Sequence, residues 1–164
     1  MSALKILRPD KIVDSIYDIK LDFLKEQGIK AIIADLDNTL VPWRSSEVKD
    51  EQLQWVGKAR SFGLRVAIVS NNTYSRVDDV SSKLGVIALS GAFKPRRSPF
   101  RLIASHFSLQ PAEIAVVGDQ LFTDILGGNR CGMYTILVKP MSKQEIIGTK
   151  FMRVVEKIFL RNML

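Results

Sequence analysis

Four short segments carry side chains able to do chemistry. In chain order they are Asp35-Leu36-Asp37-Asn38-Thr39, Ser70-Asn71-Asn72, Lys94-Pro95 and Gly118-Asp119-Gln120-Leu121-Phe122-Thr123-Asp124. A phosphate monoester resists hydrolysis because its negative charge repels nucleophiles. Its cleavage needs a positioned nucleophile, an acid for the leaving oxygen and compensating charge. Asp35 is the candidate nucleophile, through an aspartyl-phosphate. Asp37 lies two residues on, where a strand gives way to a loop. There it can protonate the leaving group and then deprotonate the attacking water. Ser70 offers a hydroxyl to a phosphate oxygen, Asn71 a backbone amide or a carboxamide, and Thr39 a hydroxyl to backbone or phosphate oxygens. Lys94 supplies positive charge on a loop stiffened by Pro95. Asp119 and Asp124 are hard oxygen ligands suited to Mg²⁺. Carboxylates gathered around a dianionic phosphate repel one another, so this reading requires a metal.

The residues meet only if the elements before them converge. Ala31-Ile32-Ile33-Ala34 is a continuous apolar run, as expected of a strand covered on both faces. Further strands are predicted over 65–69, 86–89, 114–117 and 134–138. Helices are predicted over 46–62, capped by Ser45 or Ser46 and ended by Gly63, over 73–84, closed by Gly85, and over 99–107, 122–129 and 142–162. Alternating strands and helices predict parallel βαβ units in a three-layer α/β/α sandwich with a mostly parallel, Rossmann-like sheet. Ligands of such folds bind beyond the carboxyl ends of the strands, where Asp35, Ser70 and Asp119 fall.

The length of 164 residues predicts one domain, 1–164, able to bury a core. Apolar residues make up 46% and charged residues 25%, the balance of a globular protein rather than a membrane-spanning one. No secretory leader is read in residues 1–9, and a single cysteine, Cys131, allows no internal disulfide. Both point to a reducing, cytoplasmic setting. Cys131 reads as a packed small residue, with no base beside it in sequence. The formal charge of +7 favours an acidic partner: a phosphorylated substrate, a nucleic acid or an anionic lipid. The sequence lacks interleaved aromatic and basic residues, which disfavours nucleic acid. Much of the excess lies from Lys139 onward and around Lys94, Arg96, Arg97 and Arg101.

The four motifs resemble those of the haloacid-dehalogenase (HAD) superfamily of aspartate-nucleophile phosphatases. The segments 15–19, 34–41, 69–72 and 118–130 are similar to the YqeG family, small HAD IIIA-type phosphatases related to phosphatidylglycerophosphate (PGP) phosphatases. The resemblance implies a HAD-type fold with Asp35 as nucleophile and Asp37 as acid/base. It implies that Ser70 and Lys94 bind the transferred phosphoryl and that Asp119 and Asp124 hold Mg²⁺. It adds one carboxylate oxygen of Asp35 and the backbone carbonyl of Asp37 to the metal site. It suggests PGP, an anionic phospholipid, as a substrate.

Only 32 residues separate Asp37 from Ser70, and 23 separate Ser70 from Lys94. A strand, a helix and their loops consume these, leaving no substantial cap domain. An open site admits a large substrate: a lipid headgroup, a phosphoprotein, a nucleotide or a polynucleotide end. A lid from a second subunit is the alternative, and the sequence does not set the oligomeric state. The predicted last helix aligns Ile147, Phe151, Val154 and Ile158, flanked by Lys150, Arg153, Lys157 and Arg161. That pattern suits packing onto a core or peripheral contact with an anionic membrane. Arg96 and Arg97 suit either a solvated loop or the mouth of a site. Trp43 suits loop packing or substrate contact, Trp55 the core, His106 the surface, and Gly127-Gly128 the end of a helix. A basic RNA- or protein-binding module with a vestigial site is the competing function class.

Overall fold

The structure is a computed structural model that describes residues 5–142, 153–158, 160 and 161. Among these residues six strands form one sheet: β1 (Lys11–Val13), β2 (Ala31–Ala34), β3 (Arg65–Val69), β4 (Ile87–Leu89), β5 (Ile114–Gly118) and β6 (Tyr134–Val138). Their order is β1-β6-β5-β2-β3-β4, and every pair is parallel. Among the helices that accompany them are α1 (Leu21–Glu26), α2 (Asp50–Ser61), α3 (Tyr74–Leu84), α4 (Arg97–Phe107) and α5 (Leu126–Cys131).

The apolar runs explain the layers. Along β2 side chains alternate between two separate cores. Ile32 and Ala34 join Trp55, Val56 and Ala59 of α2 and Val77, Val80 and Leu84 of α3. Ala31 and Ile33 join Phe100, Ile103, Ala104 and Phe107 of α4. A strand buried on both faces has no polar positions, which is why 31–34 reads as an unbroken apolar run. The expected three-layer α/β/α sandwich with its HAD-type order is therefore present. Between β2 and β3, and between β3 and β4, the helices are α2 and α3 alone, with no inserted cap.

The chain leaves β2 toward β3 and β4, then crosses back to β5 on the other side of β2. This reversal opens a crevice at the carboxyl ends of β2 and β5. Register places the acids there. Ala34 pairs with Val117, and the Asp35 N–H donates to the Val117 carbonyl at 2.9 Å.

Several expectations need correction. The helix expected over 46–62 starts at Asp50, with Lys49 as its cap. The Ser45 hydroxyl accepts instead from the Glu47 N–H at 3.1 Å, and the Ser45 carbonyl is taken by Arg76. Gly127 and Gly128 lie inside α5, which ends at Gly132 in a left-handed conformation. They are small because the helix packs tightly. A Cβ on Gly127 would meet the Phe100 ring at 2.4 Å, and one on Gly128 would meet Thr135 at 2.7 Å. The helix expected over 122–129 begins as a π-helical turn, Leu121–Ile125. Strand β1 and helix α1 went unread.

Most of the helix expected over 142–162 lies outside the described residues, including Ile147, Lys150 and Phe151. Residues 153–158, 160 and 161 are helical. Their buried side carries Glu156, while Val154 and Ile158 are 57% and 56% exposed. No helix among the described residues is long and apolar enough to cross a membrane.

The glycines make a paired prediction. Gly127→Ala must displace a fully buried ring and should cost about 1–3 kcal/mol in denaturant unfolding. Gly57→Ala, in the exposed interior of α2 with open space around it, should instead stabilise by roughly 0.5–1 kcal/mol. Equal effects at the two positions would contradict the packing described.

Candidate active site

The loop after β2 alternates buried apolar and functional residues. Leu36, Leu40 and Val41 are buried anchors. The amides of Leu40 and Val41 donate to the Leu36 carbonyl at 3.0 and 3.1 Å, folding the chain back on itself. Asn38 sits at φ +60°, a conformation asparagine tolerates better than bulkier residues. Its carboxamide oxygen accepts from the amides of Trp43 at 3.3 Å and Ser142 at 3.1 Å. Asp35 is thereby aimed inward at the carboxyl edge of the sheet, and Asp37 outward.

The structure brings the predicted residues together. A cavity of about 360 Å³ is lined by Asp35, Asp37, Ser70, Asn71 and Lys94, with Trp43, Asn72, Gln120 and Thr123 among its other walls. Lys94 is buried, and its ammonium donates to Asp35 at 2.7 Å and Asp124 at 2.6 Å. Burial alone would lower its pKa, but Asp124 and Asp35 hold it above the ordinary lysine range. Asn71 fixes this lysine. Its carboxamide oxygen accepts from the Lys94 N–H at 2.7 Å, and its amide nitrogen donates to the Lys94 carbonyl at 3.4 Å. The Asn71 carboxamide is thus engaged on both sides by the Lys94 backbone. Ser70 is buried at the end of β3, where its hydroxyl accepts from the Asn72 N–H at 3.1 Å.

Asp35, Asp119 and Asp124 each present an oxygen atom within 4.8 Å of the others. Asp124 approaches so closely that a Cβ on Gly118 would lie 2.2 Å from its carboxyl group. Burial raises the Asp35 carboxyl to about 6, with Lys94 pulling it down and Asp124 pushing it up. Asp119 lies well above its usual range, because of burial and then the Asp35 and Asp124 charges, against Arg153. Among the described residues these three buried carboxylates face Lys94 and Arg153, and Arg153 is shared with Glu156, so the cluster has negative charge to spare. Its oxygens fit a hard divalent cation. Thr39, expected to reach backbone or phosphate, donates to Asp119 at 3.3 Å and so steadies the cluster.

Asp37 stands apart from this cluster. Arg76, on the first turn of α3, grips its two oxygens at 2.6 and 2.9 Å and anchors itself on the Ser45 carbonyl at 2.7 Å. Asp37 also accepts from the Asn72 carboxamide at 2.7 Å and from the Arg44 N–H at 3.1 Å. Asp35 is therefore buried beside a cation, while Asp37 faces the cavity mouth. Asn72, Arg76, Gln120, Thr123 and Arg153 were not read as site residues. Asn72 belongs to the Ser70-Asn71-Asn72 segment, and Arg76 lies one helical turn beyond it. Arg153 carries no local signal, because it reaches Asp119 from a distant helix. His106 is exposed, Trp55 buried, and Trp43 borders the cavity, while burial raises the pKa of the half-buried Cys131 thiol, as for a packed residue.

Residues 1–142 match the family described as mitochondrial PGP phosphatase. The "Probable phosphatase YqeG" of Bacillus subtilis is 40% identical over 156 residues, covering 95% of this chain and 91% of that one. The phosphatidylglycerophosphate phosphatase 1 (chloroplastic/mitochondrial) of Arabidopsis thaliana is 28% identical over 146 residues, which is 84% of this chain but 42% of the plant protein. In fold, a crystal structure of an uncharacterized protein from Listeria monocytogenes serotype 4b superposes with a TM-score of 0.56 at 17% identity, covering 83% of this chain and all of that one. Sheet order, acid–lysine cluster and kinship together define a HAD-superfamily phosphatase. Within that class, the chain belongs to the PGP phosphatase family.

The grip on Asp37 gives Arg76 the geometry to position that carboxylate. Arg76→Ala should lower kcat for phosphate release about 10–100-fold, with KM changed much less. Arg76→Lys should recover only part, because an ammonium cannot bind both carboxylate oxygens as the planar fork does. Steady-state kinetics on a soluble phosphate ester checks this. An unchanged kcat in folded Arg76→Ala would remove the role.

Proposed function

We propose that the protein is a Mg²⁺-dependent phosphomonoester hydrolase working through an aspartyl-phosphate on Asp35, with phosphatidylglycerophosphate as its substrate. The observation that carries the reading is Asp35 held by buried Lys94 inside a buried three-carboxylate cluster in the crevice.

An oxygen of Asp35 attacks the phosphorus of the monoester. The bond to the leaving oxygen breaks, and Asp37 gives that oxygen its proton. Ionised Asp37 then takes a proton from water as the water attacks the phosphorus of the aspartyl-phosphate. Inorganic phosphate leaves, and both aspartates return to their starting states. Ser70 and the Asn71 backbone N–H hold phosphoryl oxygens, and Lys94 balances their charge. Asp35, Asp119 and Asp124, with the Asp37 carbonyl, would hold Mg²⁺. Bound there, Mg²⁺ would offset the charge of the phosphoryl oxygens and keep them in line for attack.

Three observations support a phospholipid. The family's members include PGP phosphatases. The site has no cap between β2 and β4, so it suits a headgroup presented at a surface. The +7 charge favours an anionic partner at the inner face of a membrane from the cytoplasmic side. The described C-terminal helical residues turn Arg153 toward Asp119, so they serve the site whether or not they touch lipid. A phosphatase of phosphoproteins, nucleotides or polynucleotide ends shares the mechanism and differs only at the substrate.

Asp35→Asn should reduce release from PGP in mixed micelles by roughly 10⁴-fold and leave the protein folded by circular dichroism. Substantial residual turnover would end the mechanism. A chelator should abolish release from wild type. Release from an aryl phosphate but not from PGP would reject the substrate alone.

The raised Asp35 carboxyl, with Asp119 raised beside it, makes metal binding pH-dependent. In the metal-free protein it favours the folded state at low pH, and that contribution is lost as pH rises through about 6. Protons and metal compete for these carboxylates. The rise in Tm caused by Mg²⁺ should therefore be full well above pH 6 and shrink as pH falls through about 6. A larger rise on the acid side of that range would contradict the cluster as the metal site.

A further inference from the structure

Large hydrophobic side chains are exposed at several places, but the two most exposed among the described residues flank one site. Tyr74 is 73% exposed and Phe93 69%. Tyr74 follows the cavity-lining Thr73, and Phe93 precedes the cavity-lining Lys94. Trp43, in the loop after β2, is itself part of the cavity wall. Met141 is exposed too, and its N–H donates at 3.1 Å to the carbonyl of Asn38, another wall residue. Three aromatic rings and a thioether thus come from four separate segments that border this cavity, and Phe93 and Arg96 also line a second hollow with Leu102.

Their setting is cationic. The Arg44 guanidinium lies 4.4 Å over the Trp43 ring, and that of Arg96 lies 5.4 Å from the Phe93 ring centroid. The acid beside them, Asp37, is already paired with Arg76. Phe93 also adopts φ +53°, a left-handed conformation costly for a bulky side chain. Glycine would hold that turn at less cost, yet the chain presents a phenyl ring to solvent next to its buried lysine. Folding does not explain this choice, since the ring buries little.

We propose that Trp43, Tyr74, Phe93 and Met141, with Arg44 and Arg96, form an interfacial rim that seats the mouth of the active site on an anionic lipid bilayer. Aromatic rings and arginines favour the headgroup layer, where a ring is partly buried while the guanidinium reaches lipid phosphate. The inference rests on the phospholipid-phosphatase reading for its choice of partner. It differs from docking through the C-terminal helix, whose exposed large hydrophobic residues among those described are Val154 and Ile158. Single-stranded nucleic acid also binds aromatic and basic residues. Here an arginine covers a face of Trp43 and of Phe93 on which a base would stack.

The test uses the full chain and vesicles of equimolar phosphatidylcholine and phosphatidylglycerol. The variant is Tyr74→Ser with Phe93→Gly, which relieves the left-handed strain and touches no proposed catalytic group. Flotation should show vesicle association reduced by about tenfold or more, with turnover of PGP in the same vesicles reduced in parallel. Turnover of a soluble aryl phosphate should be unchanged, which shows that the variant is folded and active. Val154→Ser with Ile158→Ser should retain most of the association. Unchanged flotation of the rim variant overturns the proposal, as does loss confined to the helix variant. Loss of single-stranded RNA retention or of self-association, with vesicle binding intact, overturns it in favour of those partners. Failure of wild type to hydrolyse PGP even in detergent would remove the substrate reading, while flotation would still decide the rim.

Discussion

One ammonium group, the Nζ of Lys94, lies between the carboxylates of Asp35 and Asp124 at 2.7 and 2.6 Å in a buried position. Buried charge is tolerated only when paired and hydrogen-bonded, and this pairing joins the loops after three strands. Asp35 follows β2, Asp124 follows β5, and Lys94 follows β4, held from behind by Asn71 at the end of β3. The strand order brings these ends to one edge. The contact therefore requires the parallel register of the whole central sheet, and the loops in turn have little freedom once it forms.

Two aspartates two residues apart are given different surroundings by this arrangement. Asp35 points into the cluster, where burial and a neighbouring carboxylate raise its carboxyl to about 6. Asp37 points to the mouth, within the fork of Arg76 and the carboxamide of Asn72. Environments that differ this much are how one site can assign two roles to the same residue type. The negative charge gathered around Asp119 suits a divalent cation, because three carboxylates outnumber Lys94 and Arg153 there.

Much of this was legible in the chain. The run 31–34 and the strands near 65–69, 114–117 and 134–138 stand out because a strand covered on both faces is apolar at nearly every position. The acids after them mark the carboxyl edge for the same reason. What stayed hidden depends on long-range contact. β1, with the edge sequence Lys11-Ile12-Val13, has no such run and becomes a strand only by pairing with β6. Gly127 and Gly128 look like a helix stop, but they are small to admit Phe100 and Thr135. Arg76 and Arg153 look like ordinary surface cations until the fold carries them to Asp37 and Asp119. The proposed rim was equally invisible, because the segments that carry Trp43, Tyr74 and Phe93 reach one cavity only through the sheet edge.

The most direct test of the account is to look for the phosphoryl group on Asp35. The protein would be mixed with Mg²⁺ and PGP in micelles, quenched in acid within one turnover, digested and analysed by mass spectrometry. A phosphoryl group on the peptide that carries Asp35, lost on chase and absent from the Asp35→Asn protein, is the predicted result. Turnover of PGP with no phosphoryl group on that peptide at any time would contradict the account.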